Sequence, residues 1–153
     1  MKKILILALV LAAGVMAFTG CKKDKDKVDS PLVGTWRHQT DPSPDSGWYC
    51  VYIAKFGGDN SFAYYDFAYA GPSATQAHDG FVWRGTYEIN EDIATVHFQK
   101  YGEVVSDGKE VYDDTFEPYD EKMKFRIEGN FLHLTREYGT PHAWTDVIYT
   151  KQK

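Results

Sequence analysis

Apolar and polar residues alternate with a period of two through most of residues 33–151. That period is the repeat of a strand with one buried face. Runs bounded by Gly, Pro, Asn and Asp predict strands at 33–40, 48–56, 61–69, 81–89 and 93–105, and a weaker one at 109–116 closed by Pro118. The clearest segment follows. Met123, Phe125 and Ile127 alternate with Lys122, Lys124, Arg126 and Glu128, and Gly129-Asn130 reads as a two-residue hairpin turn that needs positive φ. Such a turn pairs Ile127 with Leu132 and Phe125 with Leu134, which places all four on one face. Gly139-Thr140-Pro141 is a further turn, and 144–151 a final strand. The spacing predicts an all-β domain: an antiparallel up-and-down meander of about eight or nine strands. Closing it into a barrel removes the exposed edges, and an open sandwich is the alternative.

The first thirty residues follow a different pattern. Lys2 and Lys3 precede a continuous run of apolar or small residues over 4–18, which ends in Phe18-Thr19-Gly20-Cys21. Residues 1–20 therefore read as a removable leader. The segment resembles the bacterial lipoprotein signal box, with Phe18 standing where that family usually has Leu. The resemblance implies that Cys21 is diacylglycerylated and becomes the new N-terminus, so that the protein is held at a membrane by its lipid. Lys22, not Asp, follows the cysteine, which in that family favours the outer membrane. Periplasmic and surface exposure stay equally open. Residues 21–30 add a tether rich in Lys and Asp, solvated by its charge. The domain proper is 31–153.

Composition sharpens the class of that domain. Residues 31–153 hold 23 aromatics against 17 Leu, Ile, Val and Met, and only three of these are Leu. This opposes a helix bundle and a disordered chain. The same residues carry 11 Lys and Arg against 19 Asp and Glu, a net charge of −8. A surface so acidic opposes binding to nucleic acid and adsorption to anionic headgroups. With Cys21 carrying lipid, Cys50 has no partner for a disulfide, and its apolar surroundings predict a small buried hydrophobe.

Four short motifs point to a family. Leu32-Val33-Gly34-Thr35-Trp36-Arg37 resembles the opening of the calycins, whose first strand begins Gly-x-Trp. Phe56-Gly-Gly-Asp-Asn-Ser-Phe62, Gly85-Thr-Tyr-Glu-Ile89 and the hairpin 125–134 are similar, in order and spacing, to the bacterial lipocalin-like domain. The resemblance implies a calycin-like β-barrel in which Gly34 admits a tight bend and Trp36 plugs the closed end. It also implies an arginine capping the indole, for which Arg136 is the first candidate and Arg84 the second.

No catalytic motif is present, and the domain is expected to be a non-enzyme without cofactor. The five histidines show no metal-ligand spacing, and His97 and His133 fall out of phase with their apolar neighbours. The acidic run Asp113, Asp114, Glu117, Asp120 and Glu121 reads as a solvated loop. The aromatics carry what signal remains. Tyr52, Tyr64, Trp83, Tyr87, Phe98, Phe125, Leu134 and Tyr149 fall on strand faces that would line a barrel, with Asp66 in phase with Tyr64. Apolar walls with a few polar handles suit a small hydrophobic or amphipathic ligand at the cell envelope. The opposite faces carry Tyr49, Tyr65, Phe67 and Tyr69. These support the alternative, an envelope protein-interaction or inhibitor module with a filled barrel.

Overall fold

A computed structural model describes residues 29–137 and 145–153. The leader, Cys21, most of the tether, the 139–141 turn, His142 and Trp144 lie outside the described residues. The described residues form nine strands: β1 (Gly34–Gln39), β2 (Tyr49–Phe56), β3 (Ser61–Tyr69), β4 (Asp79–Asn90), β5 (Ile93–Val104), β6 (Glu110–Tyr112), β7 (Tyr119–Glu128), β8 (Phe131–Arg136) and β9 (Val147–Lys151). All pairings are antiparallel. Eight strands close in the order β1-β2-β3-β4-β5-β7-β8-β9 and back to β1, while β6 pairs only with the far end of β5. The fold is a closed barrel with one appended strand. No helix among the described residues is long and apolar enough to cross a membrane.

The hairpins obey their local sequence. Ile127 pairs with Leu132 and Phe125 with Leu134, and Gly129 supplies the positive φ, +61°. Asn60, at φ +66°, occupies the left-handed position of the β2–β3 turn, which Asn tolerates better than most residues. Two elements differ from the sequence expectation. β6 is three residues long and lies outside the ring. β7 starts at Tyr119, directly after Pro118, because proline lacks the N–H a central strand needs but does not hinder the next residue.

The two ends of the barrel are unlike. Tight turns join β2 to β3, β4 to β5 and β7 to β8 at one end. The long connections 40–48, 70–78 and 105–118 gather at the other, where β8 ends and β9 begins. At the tight-turn end Leu32, Trp36, Phe56, Phe62, Tyr87, Val96 and Leu132 are each no more than 2% exposed. They belong to one packed cluster that extends to Tyr64, Phe98, Met123, Leu134 and Tyr149. The Trp36 indole N–H donates to the carbonyl of Leu32 at 2.7 Å, so the segment before β1 folds across this end and closes it. The cation over the indole is Lys151, at 5.0 Å from the ring. This corrects the assignment of Arg136 to that cap. β9 pairs with β1 so that Lys151 lies opposite Trp36, whereas Arg136 lies opposite Met123 near the other end of β8. Arg84, the second candidate, points outward and is bound to Glu110.

A bulge re-aims the upper part of β5. Arg84 pairs with Lys100 but Gly85 pairs with Phe98, leaving Gln99 as the extra residue. A Cβ on Gly85 would run into the carbonyl oxygen of His97, so only glycine admits this approach. Among the described residues, every strand and the core cluster fall between Leu32 and Lys151, so residues 30–153 carry the barrel.

Candidate functional site: the loop-rich mouth of the barrel

Interior positions near the long connections are only partly covered. His38, Cys50, Asp66, Phe81, Trp83, Tyr101 and Phe116 are half-buried there, above the packed floor. The rings form a continuous wall. Tyr64 lies 5.4 Å from Trp83, Trp83 4.9 Å from Tyr101, and Tyr101 6.1 Å from Phe116. Phe116 leads to Tyr119 at 5.9 Å, and Tyr119 stacks on Phe98 at 4.8 Å. On the other side His38 stacks on Tyr52 at 5.9 Å, and Tyr52 reaches Tyr64 at 6.3 Å. Such a wall offers ring faces to a guest and leaves the phenol hydroxyls as polar handles.

Asp66 stands within this wall, paired across the sheet with Tyr52 on β2 and Phe81 on β4. Loss of hydration raises its carboxyl pKa. Its negative charge acts in turn on the neighbouring acids. Burial, and after it Asp66, pushes the Cys50 thiol up. Tyr52 is pushed up to about 12, mainly by burial and then by Cys50 and Asp66. Tyr64 and Tyr149 are raised further, again mainly by burial. All four therefore stay protonated near neutral pH. Cys50 is half-buried at this mouth and not fully enclosed as its apolar neighbours implied.

The second charged feature is internal. Glu121 is 4% exposed, and Arg136 Nε lies 2.9 Å from its carboxylate. This corrects the reading of Glu121 as part of a solvated acidic loop. Glu121 shares the inward phase of Met123 on β7, and its charge is matched by the cation from β8. Asp113 does behave as a loop residue, capping its own turn through Thr115. His97 lies on the outer face and contacts Asp120 at 2.7 Å. Among the described residues, no three His, Cys, Asp or Glu side chains converge as a metal site requires.

The eight sequence-selected residues all fall on interior-facing positions, but at different depths. Tyr52, Tyr64 and Trp83 surround Asp66 at the mouth. Tyr149 adjoins them through His38, at 6.0 Å. Phe98 and Leu134 belong to the packed middle. Phe125 lies directly opposite Leu134, and Tyr87 sits toward the closed end, where its hydroxyl donates to the Gly57 carbonyl at 2.8 Å. Sequence reasoning left Tyr101, Phe116 and Tyr119 out of the wall. The bulge at Gln99 carries no local signal and reverses the phase that strict alternation assigns to Tyr101.

On the outer face, β6 is tied down by a polar knot. Arg84 donates to both Glu110 carboxylate oxygens at 2.7 Å and to the Tyr65 hydroxyl at 2.8 Å. The Tyr112 hydroxyl also donates to Glu110. Tyr49 stacks on Tyr69 at 4.9 Å and Tyr65 on Phe67 at 5.8 Å, so the outward aromatics pair along the sheet surface. A groove of about 520 Å³ runs past Phe67, Tyr69, His78 and Val104. Comparison with protein-family models finds no match to this chain, and comparison with curated proteins finds none either.

Proposed function

We propose that this chain is a lipid-anchored envelope protein whose barrel holds a small amphipathic molecule at its loop-rich mouth, without chemistry. The observation that carries the reading is the asymmetry of the interior. One end is closed by Trp36 and packed solid, while the other presents half-buried rings with hydroxyl, thiol and carboxyl groups among them. A core built only for stability would bury those rings and omit Asp66. Trp83 would form the contact surface together with the edge of Tyr52, with the buried Tyr64 and Tyr149 packed behind them. Tyr87, Phe98, Phe125 and Leu134 would serve as the floor. The anchoring rests on the residues up to Cys21.

Two experiments test this. Residues 30–153, purified without detergent, should bind an apolar fluorescent probe in competition with added amphiphiles, and native mass spectrometry should show one guest per chain. A domain that takes up neither probe nor amphiphile sinks the ligand reading. Separately, metabolic labelling with a fatty acid should mark the intact chain and leave a Cys21→Ala chain unlabelled. A second reading, a protein partner on the outer face, draws on the stacked Tyr49 and Tyr69 and the groove beside them. Cross-linking in cells that recovers no specific partner counts against it.

A further inference from the structure

We propose that the mouth selects an organic cation, its ammonium head held by Asp66 and its apolar body laid against Trp83, Phe81 and Tyr101. This rests on the ligand reading above and names the chemical class of the guest. Three independent features support it.

The first is the carboxylate itself. Asp66 faces the interior, is half-buried, and has no ion-pair partner among the described residues. A carboxylate drawn out of water is disfavoured until a cation or donors restore what hydration supplied. The raised carboxyl pKa is the expected symptom, and an ammonium beside it reverses that shift.

The second is the surroundings. Asp66 is flanked by Tyr52 and Phe81 across the sheet and by Tyr64 on its own strand, with Trp83 5.4 Å from Tyr64. Ring faces attract cations, most strongly when the site is partly dry, and indole is the best of them. Neutral phenols add acceptor oxygens for N–H donors. The titratable groups facing the mouth with Asp66 are His38 from β1, Cys50 and Tyr52 from β2, Tyr64 from β3, Tyr101 from β5, Tyr119 and Glu121 from β7, Arg136 from β8 and Tyr149 from β9. Among them only His38 and Arg136 can carry positive charge, and Arg136 is matched by Glu121.

The third is the balance of charge inside. The Arg136 guanidinium is matched by Glu121, and Lys151 lies at the closed end over Trp36. At the rim, Glu103 pairs with Phe81, and the Tyr101 pKa is raised first by burial and then by the charges of Glu103 and Asp113. An approaching anion meets like charge, and a cation is drawn in.

The test uses three probes of one shape: octylammonium, octan-1-ol and octanoate, titrated calorimetrically at pH 7 into residues 30–153. The expected order is octylammonium at least about tenfold tighter than octan-1-ol, with octanoate weakest. Asp66→Asn, nearly isosteric, should abolish the preference, so that octylammonium and octan-1-ol bind the variant within about twofold of each other. Thermal melts of both proteins confirm that the variant is folded. Equal binding of the three probes, or a preference that survives Asp66→Asn, overturns the cation inference and leaves the ligand reading standing. Binding of none of the three overturns both.

Discussion

Removing the carboxylate that ties β6 to the barrel tests the outer knot most directly. In Glu110→Gln the bidentate ion pair with Arg84 becomes a single hydrogen bond from the guanidinium to an uncharged amide oxygen. The Arg84 guanidinium, with the Tyr112 and Tyr65 hydroxyls after it, holds the Glu110 carboxyl down from 4.5 to about 2. A difference of that size corresponds to about 3 kcal/mol if fully retained. Arg84 is 43% exposed and Glu110 20%, so solvent screens the pair, and about 1–2 kcal/mol is what folding retains. In a domain of this size that lowers Tm by about 4–8 °C. The pH dependence follows from the sign. A depressed carboxyl pKa stabilises the fold above the unfolded value, 4.5, and the stabilisation is lost as pH falls through about 2. Urea unfolding of both proteins, followed by tryptophan fluorescence at pH 7, 5, 4 and 3, should show a gap constant at the first two and shrinking at the last two. A gap below about 0.5 kcal/mol at pH 7, or one that stays constant to pH 3, refutes the reasoning.

Three further outcomes follow from the interior. Gly85→Ala should destabilise the barrel by about 3 kcal/mol or more, because the collision is with the His97 carbonyl and not with a movable side chain; a loss below about 1 kcal/mol in urea unfolding would show that the bulge relaxes. Arg136→Met takes the guanidinium from a buried Glu121 and should cost about 3–5 kcal/mol. The double variant with Glu121→Gln should recover most of that loss, and additivity of the two single effects would argue against the pair. Asp66→Asn should raise Tm at neutral pH in the absence of ligand. The folded-state carboxyl pKa of Asp66 is raised, so its ionisation destabilises the fold as pH rises from 3.8 through that value. The advantage of Asn should vanish below pH 3.8, and a variant melting no higher than the parent at pH 7 would contradict it.

Much of the fold was legible because each hairpin is specified locally. The pairing of Ile127 with Leu132 follows from a two-residue turn and an alternating pattern, both visible in a dozen residues. What escaped depends on contacts between distant segments. The cap on Trp36 is Lys151 because β9, and no other strand, closes against β1, and closure register is written in no short stretch. β6 leaves the ring because Glu110 meets Arg84, 26 residues away. Glu121 was within reach: carrying the phase of Met123, Phe125 and Ile127 back two residues turns it inward. Its acidic neighbours and Pro118 concealed this, since a carboxylate is normally solvated and here is not only because Arg136 shares its phase on β8.

The aromatic excess divides along the barrel axis as well as between its faces. Tyr87 and Tyr52 both face inward on barrel strands and are equally consistent with a pocket by sequence. At the tight-turn end, the Tyr87 hydroxyl is consumed by the Gly57 carbonyl and its ring by Phe56 at 5.1 Å. Toward the long connections, Tyr52 meets His38, Tyr64 and the Asp66 carboxylate instead. Depth relative to the closed end therefore decides which aromatics complete the core and which remain to meet a guest. Alternation along a strand reports the face, but not the depth. Depth is set by where the turns are short, and residues 57–60, 91–92 and 129–130 mark that end in the sequence. Phe81, Trp83 and Tyr101, half-buried at the mouth, are accordingly the positions at which substitution should alter ligand binding more than stability, and the buried Tyr64, Tyr87 and Phe98 those at which the reverse holds.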